Sequence, residues 1–238
     1  ARVDYDGTAS SLLVEPERTN IALYSEDFTQ SYWVKNNTTI TSNETISPDG
    51  IINADSIIAN TTNSTHYIRN NYTAVTASTS FTYSIYIKPN GYTKVGLRDD
   101  AQTGAFLTYN LTTKAIISSA SMSVVAKELN NGWVKLSFTY LGGSNGVIGL
   151  SLFLLDDNYV SGDPNLYSFA GDNTSGFYIW GGQIEQGSYP TSYIPTSGST
   201  VTRVQDQYSK TGISNLIGQT EGTVFVDVDF DTLSGLNM

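Results

Sequence analysis

The chain of 238 residues contains no cysteine and a single histidine. Without cysteine it can form no disulfide framework and no thiolate metal site, and it has no thiol nucleophile. A Ser-His-Asp triad would depend entirely on His66, and no G-x-S-x-G motif accompanies that residue. These absences favour a protein that is not an enzyme.

Charged residues are also scarce, at 14% of the chain against about 25% in an average soluble domain. The net charge is −10, and the 12 basic residues are scattered along the sequence. Proteins that bind nucleic acid need clustered Lys and Arg, so this composition argues against nucleic acid as a partner. No apolar run is long enough for a transmembrane helix, so membrane insertion is not expected.

Short alternating or apolar runs separated by Asn, Gly, Asp and Ser dominate the chain, which predicts an all-β sandwich. In Phe81–Ile87, hydroxyl residues alternate with larger apolar ones, which predicts one packed face and one wetter face. Predicted strands are Thr38–Ile46, Ala54–Ile58, His66–Tyr72, Phe81–Lys88, Lys94–Asp99, Ala105–Leu111, Ser123–Leu129, Trp133–Leu141, Val147–Leu155 and Gly176–Gln186.

Turn residues of defined chemistry separate these strands. The pairs Asn90-Gly91, Asn131-Gly132 and Asn145-Gly146 tolerate the positive φ of tight hairpins, and Ser47-Pro48-Asp49-Gly50 is a comparable turn signal. One short helical turn is predicted at Ser25–Phe28, with Ser25 as its cap.

Composition divides the chain into four parts. Residues 1–20 form a lead-in segment and residues 21–188 form the sandwich. The segment 189–209, rich in Pro, Ser and Thr, is expected to be an extended crossing segment or linker. Residues 210–238, with a predicted strand at Gly222–Phe230, are expected to start a second β-sandwich module. We therefore expect the sequence to be an excerpt of a longer polypeptide.

Three groups of motifs carry a resemblance to a known family. They are Leu12–Asn20 followed by Tyr24–Phe28 and Trp33, then Asn131–Ser137, and then Gly176–Gly187 running into Pro190–Thr196. In this order they resemble a domain of tailed-bacteriophage virion proteins that is found in tail fibres and head fibres. The resemblance extends from about Leu12 to Arg203, and the third group is its most specific part.

The resemblance implies a jelly-roll sandwich similar to carbohydrate-binding modules. The segment after Ser209 resembles the start of a laminin-G or concanavalin-like domain, which would form an incomplete second β module. The implied protein is a virion structural component on the exterior of the phage particle.

Aromatic residues beside amides are candidates for glycan binding, because aromatic faces suit the apolar face of a sugar ring and amides suit its hydroxyls. The candidates are Tyr32, Trp33, Tyr178, Trp180 and Gln183, with Glu185 nearby. For Trp180 and Trp133, packing in the core is the stronger interpretation. Trp33, which lies with Tyr32 in a polar stretch, is expected to be the better exposed aromatic.

Acidic pairs raise the possibility of a structural Ca²⁺ site formed by Asp156, Asp157 and Asp172, since clustered hard oxygens bind this ion. No regular calcium-loop spacing is present, so solvated loop carboxylates are the favoured alternative. Further carboxylates lie at Asp99-Asp100 and Asp163. Paired carboxylates could serve a glycosidase, but catalysis is disfavoured because these residues lie in turn-like segments. No other cofactor is expected.

These observations predict a glycan-binding adhesion domain in an elongated phage appendage, assembled with other virion proteins and expected to be a homotrimer. Many weak sites on one particle would supply avidity for a host cell-surface glycan. The first alternative is an architectural head-fibre, capsid-decoration or spacer domain without a ligand. A glycan-degrading tailspike is a third and weaker alternative.

Overall fold

A computed structural model describes residues 2–6, 9–101, 105–120, 123–141, 146–209 and 211, with side chains from residue 13 onward. The chain divides into two compact units, one formed by Thr19–Thr202 and the other by the segments on either side of it. The second unit contains an antiparallel hairpin of two strands, Arg2–Asp6 and Ala9–Leu13. Also in this unit, Glu15 forms an ion pair with Arg203 at 3.1 Å.

Almost all regular structure in the described residues is β-strand, apart from one-turn 3-10 helices at Asn130–Gly132 and Pro164–Leu166. The strands are β1 Arg2–Asp6, β2 Ala9–Leu13, β3 Arg18–Asn20, β4 Trp33–Asn36, β5 Thr38–Ile46, β6 Ile52–Ala59, β7 His66–Asn70, β8 Thr73–Ala74, β9 Ser80–Asn90, β10 Lys94–Asp99, β11 Phe106–Asn110, β12 Ala115–Ala120, β13 Ser123–Glu128, β14 Val134–Leu141, β15 Val147–Ile148, β16 Leu150–Leu155, β17 Gly176–Gln186 and β18 Val201–Arg203. No helix in the described part of the chain is long and apolar enough to span a membrane.

The unit Thr19–Thr202 is a sandwich of two six-stranded sheets. Sheet 1 has the order β12-β11-β10-β16-β7-β4, and sheet 2 has the order β13-β14-β9-β17-β6-β5. Strands from the first third of the chain pair with strands from its later part, as β7 does with β16 and β6 with β17. Such pairing of strands that are distant in sequence is typical of a jelly roll. The predicted all-β jelly-roll sandwich is therefore confirmed.

The main core lies between the two sheets and takes side chains from both. Strand β9 shows why its sequence forms a sheet interior, because every second residue from Phe81 to Ile87 enters this core. The prediction that the intervening hydroxyl residues form a more solvated face is wrong. Thr82 and Ser84 are fully buried and pair with hydroxyls of β14 at 2.8 Å, with Thr82 also donating to the Gly187 carbonyl.

Positive φ is confirmed at described turn residues, although Asn90-Gly91 does not close the predicted hairpin, because β9 and β10 lie in different sheets. Asn131 and Gly132 have φ values of 61° and 79°, and Gly91 and Gly50 have φ values of 101° and 90°. These left-handed conformations explain why Asn and Gly occupy the turns. Of the pair Asn145-Gly146, only Gly146 lies within the described residues.

The predicted helical turn at Ser25–Phe28 is wrong. Asp27 instead accepts a hydrogen bond from the Thr29 amide at 3.0 Å, so its side chain closes a local Asx turn. Ser25 does not cap a helix, because its hydroxyl binds the backbone of Thr196.

The segment after β17 also differs from the linker that its composition suggested. Thr191, Ile194 and Thr196 are buried, and the compact unit continues to Thr202. The segment is an extended crossing segment, but it packs against the sandwich. The predicted second module and its strand at Gly222–Phe230 lie outside the described residues, apart from residue 211.

Candidate functional site

A second apolar cluster lies on the outer face of sheet 2. In β17, Phe177 and Ile179 enter the main core, so the alternating residues Tyr178 and Trp180 point to the other face. There Trp180 lies 4.6 Å from Tyr193 and 5.1 Å from Tyr86, measured between ring centroids. The outer aromatic cluster consists of Ala54, Tyr86, Leu129, Trp133, Tyr178, Trp180 and Tyr193.

A β-bulge in β17 sets the position of Trp180. The register with β9 shifts between Trp180 and Gln183, at the two glycines of the motif. Gly181 has a φ of 65°, and a Cβ at this position would lie 2.8 Å from the Tyr86 ring. Only glycine fits this turn of the strand without strain, which explains the first glycine of the Trp-Gly-Gly-Gln motif.

A polar pocket of about 260 Å³ opens beside this cluster. The acidic residues of the pocket come from the loop before β4 and from β6, while β5 contributes a hydroxyl and an amide. Its lining residues are Glu26, Asp27, Thr29, Ser42, Asn43, Asn53 and Asp55. Three carboxylates, two amides and two hydroxyls therefore face one concave surface.

The carboxylates of the pocket differ in their environments. Burial raises the pKa of Asp55 to about 6, although the amides of Phe28 and Asn43 donate to its two oxygens at 2.9 and 3.1 Å. Burial also acts on Asp27, but hydrogen bonds from Thr29 and Gln30 outweigh it and lower the pKa of Asp27. The pocket therefore holds negative charge at neutral pH.

Glu26 joins the pocket to the outer aromatic cluster. Its Oε1 accepts a hydrogen bond from the Tyr193 hydroxyl at 2.9 Å, and its Oε2 accepts one from Asn53 Nδ2 at 3.3 Å. Ala54, which follows Asn53 in β6, belongs to the same apolar cluster as Trp180. Two buried polar atoms at this junction, Asn53 Oδ1 and Trp180 Nε1, have no hydrogen-bond partner among the described residues.

The remaining polar residues of the Gly176–Gly187 motif serve the fold. Gln183 is buried, donates to Glu185 Oε1 at 2.9 Å and accepts from the Ile194 amide at 2.7 Å. Glu185 in turn accepts from the amide and the hydroxyl of Thr191 at 2.9 and 2.6 Å. The expectation that Gln183 contacts a ligand is therefore wrong, because its hydrogen bonds fasten the segment after β17.

Asn20 completes the same network, and all its side-chain hydrogen bonds are made. Its Nδ2 donates to the carbonyls of Gly182 and Ile194 at 3.2 and 2.8 Å, and its Oδ1 accepts from the amides of Ala22 and Ile184 at 3.1 and 3.0 Å. We call the group Asn20, Ser25, Gln183, Glu185 and Thr191 the polar seam. It brings the first and third motif groups together in space.

The aromatic residues expected to be exposed are buried instead. Trp33 is 1% exposed, packs against the tilted ring of Phe28 at 4.9 Å between centroids and donates its indole N–H to the Tyr24 carbonyl at 2.9 Å. Tyr32 is 7% exposed and packs edge-on against Trp33 at 5.2 Å. The polar stretch around them misled the prediction, because the polar neighbours turn outward while both rings enter the main core.

Trp180 and Trp133 are buried, as the packing interpretation predicted, but they lie in the outer aromatic cluster. Trp180 is 5% exposed and Trp133 donates its indole N–H to the Ile46 carbonyl at 3.1 Å. Tyr178 is only partly buried, so it is the candidate aromatic that keeps an accessible edge.

The three carboxylates proposed for Ca²⁺ are engaged in separate hydrogen bonds. Asp156 accepts from the Tyr167 hydroxyl, Asp157 accepts from Thr93 at 3.0 Å, and Asp172 accepts from the Ser175 hydroxyl at 2.7 Å. Within the described ranges, no group of three or more acidic or histidine side chains is placed to hold a metal ion. The structure therefore does not bring these residues together as calcium ligands.

The other candidate catalytic groups are also dispersed. Asp99 lies inside the sandwich, whereas Asp100 forms an ion pair with Arg98, so the two adjacent carboxyls do not face one substrate. Both ring nitrogens of His66 lie within 2.9 Å of backbone carbonyl oxygens, those of Asn37 and Phe169. No serine hydroxyl shares these contacts.

Sequence reasoning missed the pocket residues Glu26, Asn53 and Asp55. One signal was available, because Asp55 interrupts the otherwise apolar and small-residue run Ala54–Ala59 in β6. A carboxylate in a strand that packs against the core indicates a specific role for its oxygens.

Comparison with known proteins gives little guidance. No family matches the chain, and no curated protein matches it. Among solved structures, it is similar to the CBM22-1–GH10 modules of the Clostridium thermocellum endo-1,4-β-D-xylanase 10B complexed with xylohexaose, at 14% identity and a TM-score of 0.35. The match covers 70% of this chain and 27% of that chain. This is a weak similarity to a structure that contains a carbohydrate-binding module.

Proposed function

We propose that the chain is a non-catalytic glycan-binding module, with its site where the polar pocket meets the outer aromatic cluster. The observation that supports this most strongly is the junction at Glu26. Carboxylate and amide groups that line the pocket lie beside an aromatic cluster in which Tyr178 is only partly buried. The polar groups could bind the hydroxyls of a sugar, and the aromatic edge could contact its apolar face.

The charge of the pocket limits which glycans fit. The pocket is lined by Glu26, Asp27 and Asp55. The positive charge of Lys35 acts to lower the pKa of two of these carboxyls, Asp27 and Asp55. Because like charges repel in a partly enclosed site, we expect neutral or amino sugars to bind better than uronic acids or sialic acids.

The setting of this function follows from the sequence resemblance and is also a proposal. The domain would belong to a fibre or appendage on the exterior of a bacteriophage particle, in a homotrimer that contacts other virion proteins. Binding of a host cell-surface glycan would be weak at each site and would gain roughly 10²–10⁴-fold from multivalency. No nucleic acid, cofactor or catalysis is part of the proposal.

An architectural role is the alternative, and one observation favours it. The two tryptophans of the outer aromatic cluster are almost fully buried, and the polar seam uses the amide and carboxylate of the most specific motif for folding. A head-fibre, capsid-decoration or spacer domain would need no more than this.

The test is a pull-down of the labelled chain, presented as a forced trimer, on host cells with and without competing neutral and acidic surface glycans. We expect saturable binding that neutral glycan competes away. Asn53→Ala and Tyr178→Ala should each reduce binding at least about tenfold, which corresponds to about 1.4 kcal/mol.

Matched controls are Asn165→Ala and Tyr72→Ala, which change an exposed amide and an exposed aromatic outside the site. Both should bind like the unchanged chain. If the forced trimer does not bind, or if the controls lose as much binding as the site variants, the glycan site is wrong and the architectural role stands.

A further inference from the structure

His66, the only histidine of the chain, is fully buried at the start of β7. Its Nδ1 lies 2.8 Å from the carbonyl oxygen of Asn37, in the turn between β4 and β5. Its Nε2 lies 2.9 Å from the carbonyl oxygen of Phe169, in the segment that leads to β17. The Phe169 ring also packs against the imidazole, at 4.5 Å between centroids. His66 therefore joins two segments that are far apart in sequence.

Each of the two carbonyl oxygens also accepts a backbone amide. Asn60 donates to the Asn37 oxygen at 2.9 Å. Ser64 donates to the Phe169 oxygen at 3.1 Å. A carbonyl oxygen has two lone pairs and no proton, so His66 must be the donor in both contacts. A neutral imidazole has one N–H and one acceptor nitrogen, and only the imidazolium, with two N–H groups, can make both hydrogen bonds.

Loss of one proton would make one of these contacts repulsive. The deprotonated nitrogen would face a carbonyl oxygen at 2.8 or 2.9 Å with no proton between the two lone pairs. The contact to Phe169 is the one that can open, because Phe169 is tied to Ser64 by an isolated pair of backbone hydrogen bonds, both at 3.1 Å. Asn37, in contrast, lies between two consecutive strands.

No carboxylate of the described residues forms an ion pair with His66. Strand β16, which pairs with it through Leu154, carries no charged side chain. The other elements around the ring carry titratable groups that make contacts elsewhere or are exposed, namely Lys35, Glu44, Tyr67, Arg69, Tyr92, Tyr167 and Asp172. Desolvation opposes the charge on the ring, and the two charge-assisted hydrogen bonds favour it.

We propose that His66 is a proton-dependent latch, which holds residues 169–175 against residues 59–64 when both of its ring nitrogens carry protons. Backbone hydrogen bonds continue the same contact, from Asn173 to the Ala59 carbonyl at 3.0 Å and from Ala59 to the Ser175 carbonyl at 3.1 Å. When one proton is lost, the contact to Phe169 becomes repulsive and the segment opens. Because β17 begins directly after residue 175, this opening loosens the start of that strand.

Nitrogen-15 NMR of the full chain tests the protonation of the latch, and a single histidine makes the imidazole signals unambiguous. From about pH 5 to about pH 8, the range in which histidine commonly changes charge, we expect two ring N–H protons at the acidic end and one at the basic end. In the folded chain, the two protons should exchange slowly with water. One ring N–H throughout the range, or two throughout, would overturn the proposal.

Amide hydrogen exchange over the same pH range measures the opening. After correction for intrinsic exchange rates, the opening of the Phe169 and Ser64 amides should increase about tenfold toward the basic end, as expected for loss of one hydrogen bond to a charged group. The Ile21 amide, which donates to the Ile184 carbonyl at 2.9 Å, is the internal control and should not show this increase. An equal increase at Phe169 and Ile21 would contradict the latch.

His66→Gln provides a variant that cannot titrate at this position. The increase at Phe169 should disappear in this variant, and an increase that persists would also contradict the latch. If the variant does not fold, the comparison of the two amides in the unchanged chain still decides. These measurements use no glycan, so their outcome is independent of the proposed function.

Discussion

Two buried polar regions of this sandwich contrast in how their hydrogen bonds are met. In the polar seam, Asn20 makes four side-chain hydrogen bonds, and Gln183 and Glu185 bind each other and the segment after β17. In the interior, Asp99, Tyr83 and Tyr140 keep atoms that no described residue reaches. The same fold therefore contains a saturated polar network and an unsaturated one.

The contrast shows that burial of polar groups has two different consequences. A fully hydrogen-bonded network rigidifies the structure. Removal of one member leaves its partners buried without hydrogen bonds, and the protein then loses their full desolvation free energy. An unsaturated group must be satisfied by another molecule or carry the desolvation cost itself. Substitutions in the two regions should therefore have different signs and sizes.

The largest effect is expected for Asn20→Ala. This change leaves two buried carbonyls and two buried amides without their partner, and we expect a loss of about 4 kcal/mol of unfolding free energy. Urea unfolding of the two proteins measures the difference. Asn165→Ala, at an exposed amide, should change stability by less than about 0.5 kcal/mol. A loss below about 1 kcal/mol for Asn20→Ala would mean that the seam is not a stabilising network.

The second-largest effect is expected for Asp99→Asn, which should change how the free energy of unfolding depends on pH. Burial raises the pKa of folded Asp99 to about 6 from 3.8, so the folded state binds more protons than the unfolded state between these values. Its contribution to stability is therefore present in full below about pH 4 and is lost as the pH rises through 6. We expect this contribution to be roughly 3 kcal/mol.

Unfolding free energies from pH 4 to 7 test this expectation. Asp99→Asn should remove that part of the slope and should stabilise the protein at pH 7 relative to the unchanged chain. Asp55 contributes with the same sign, because its pKa is also raised to about 6, and it remains in both proteins. If the unfolding free energy of the two proteins has the same slope against pH, burial does not raise the pKa of Asp99.

A moderate effect is expected for Gly181→Ala in the bulge that supports the polar seam. Gly181 combines a φ of 65° with crowding by the Tyr86 ring, so we expect a loss of about 2 kcal/mol. Gly132→Ala is the matched control, because Gly132 has a φ of 79° and only Lys88 Cε within 4 Å, at 3.9 Å. Thermal or urea unfolding should show about 1 kcal/mol for the control, and an equal loss at both sites would exclude crowding as a cause.

The smallest effect is expected for Tyr140→Phe. The Tyr140 hydroxyl has no hydrogen-bond partner among the described residues, so its removal should change the unfolding free energy by less than about 0.5 kcal/mol. Tyr159→Phe removes a donor to the Gly162 carbonyl and should cost about 1 kcal/mol. Urea unfolding of both variants supplies the comparison, and equal losses would mean that the Tyr140 hydroxyl is hydrogen-bonded.

Strand content was predictable because local periodicity reflects the pleat. Thr38–Ile46, Lys94–Asp99 and Gly176–Gln186 form β5, β10 and β17 with the predicted bounds. The prediction Val147–Leu155 is divided into β15 and β16 around Gly149. In the two six-stranded sheets, β4 and β12 were missed, since Trp33–Asn36 and Ala115–Ala120 are short and lack clear alternation. The short strands outside these sheets, β1, β2, β3, β8 and β18, were not predicted either.

The candidate site was much less predictable. Tyr178 and Trp180 do lie in the outer aromatic cluster, but Glu26 reaches Asn53 only because the loop before β4 folds over β6. The pairing of β6 with β17 then places these pocket residues beside the cluster. The residue types can be read from the sequence, but the pocket forms only where the loop before β4, β5 and β6 meet.

The sequence by itself determined the all-β class, the positions of the Asn-Gly turns and the exclusion of thiol chemistry, because these depend on residue type and on the two-residue period of a strand. Only the tertiary structure decided that Trp33 and Tyr32 are core residues, that Gln183 fastens a crossing segment, and that Asp99 is completely buried. The physical reason is that burial and hydrogen-bond partners depend on which distant strands pack face to face, and composition does not encode that choice locally.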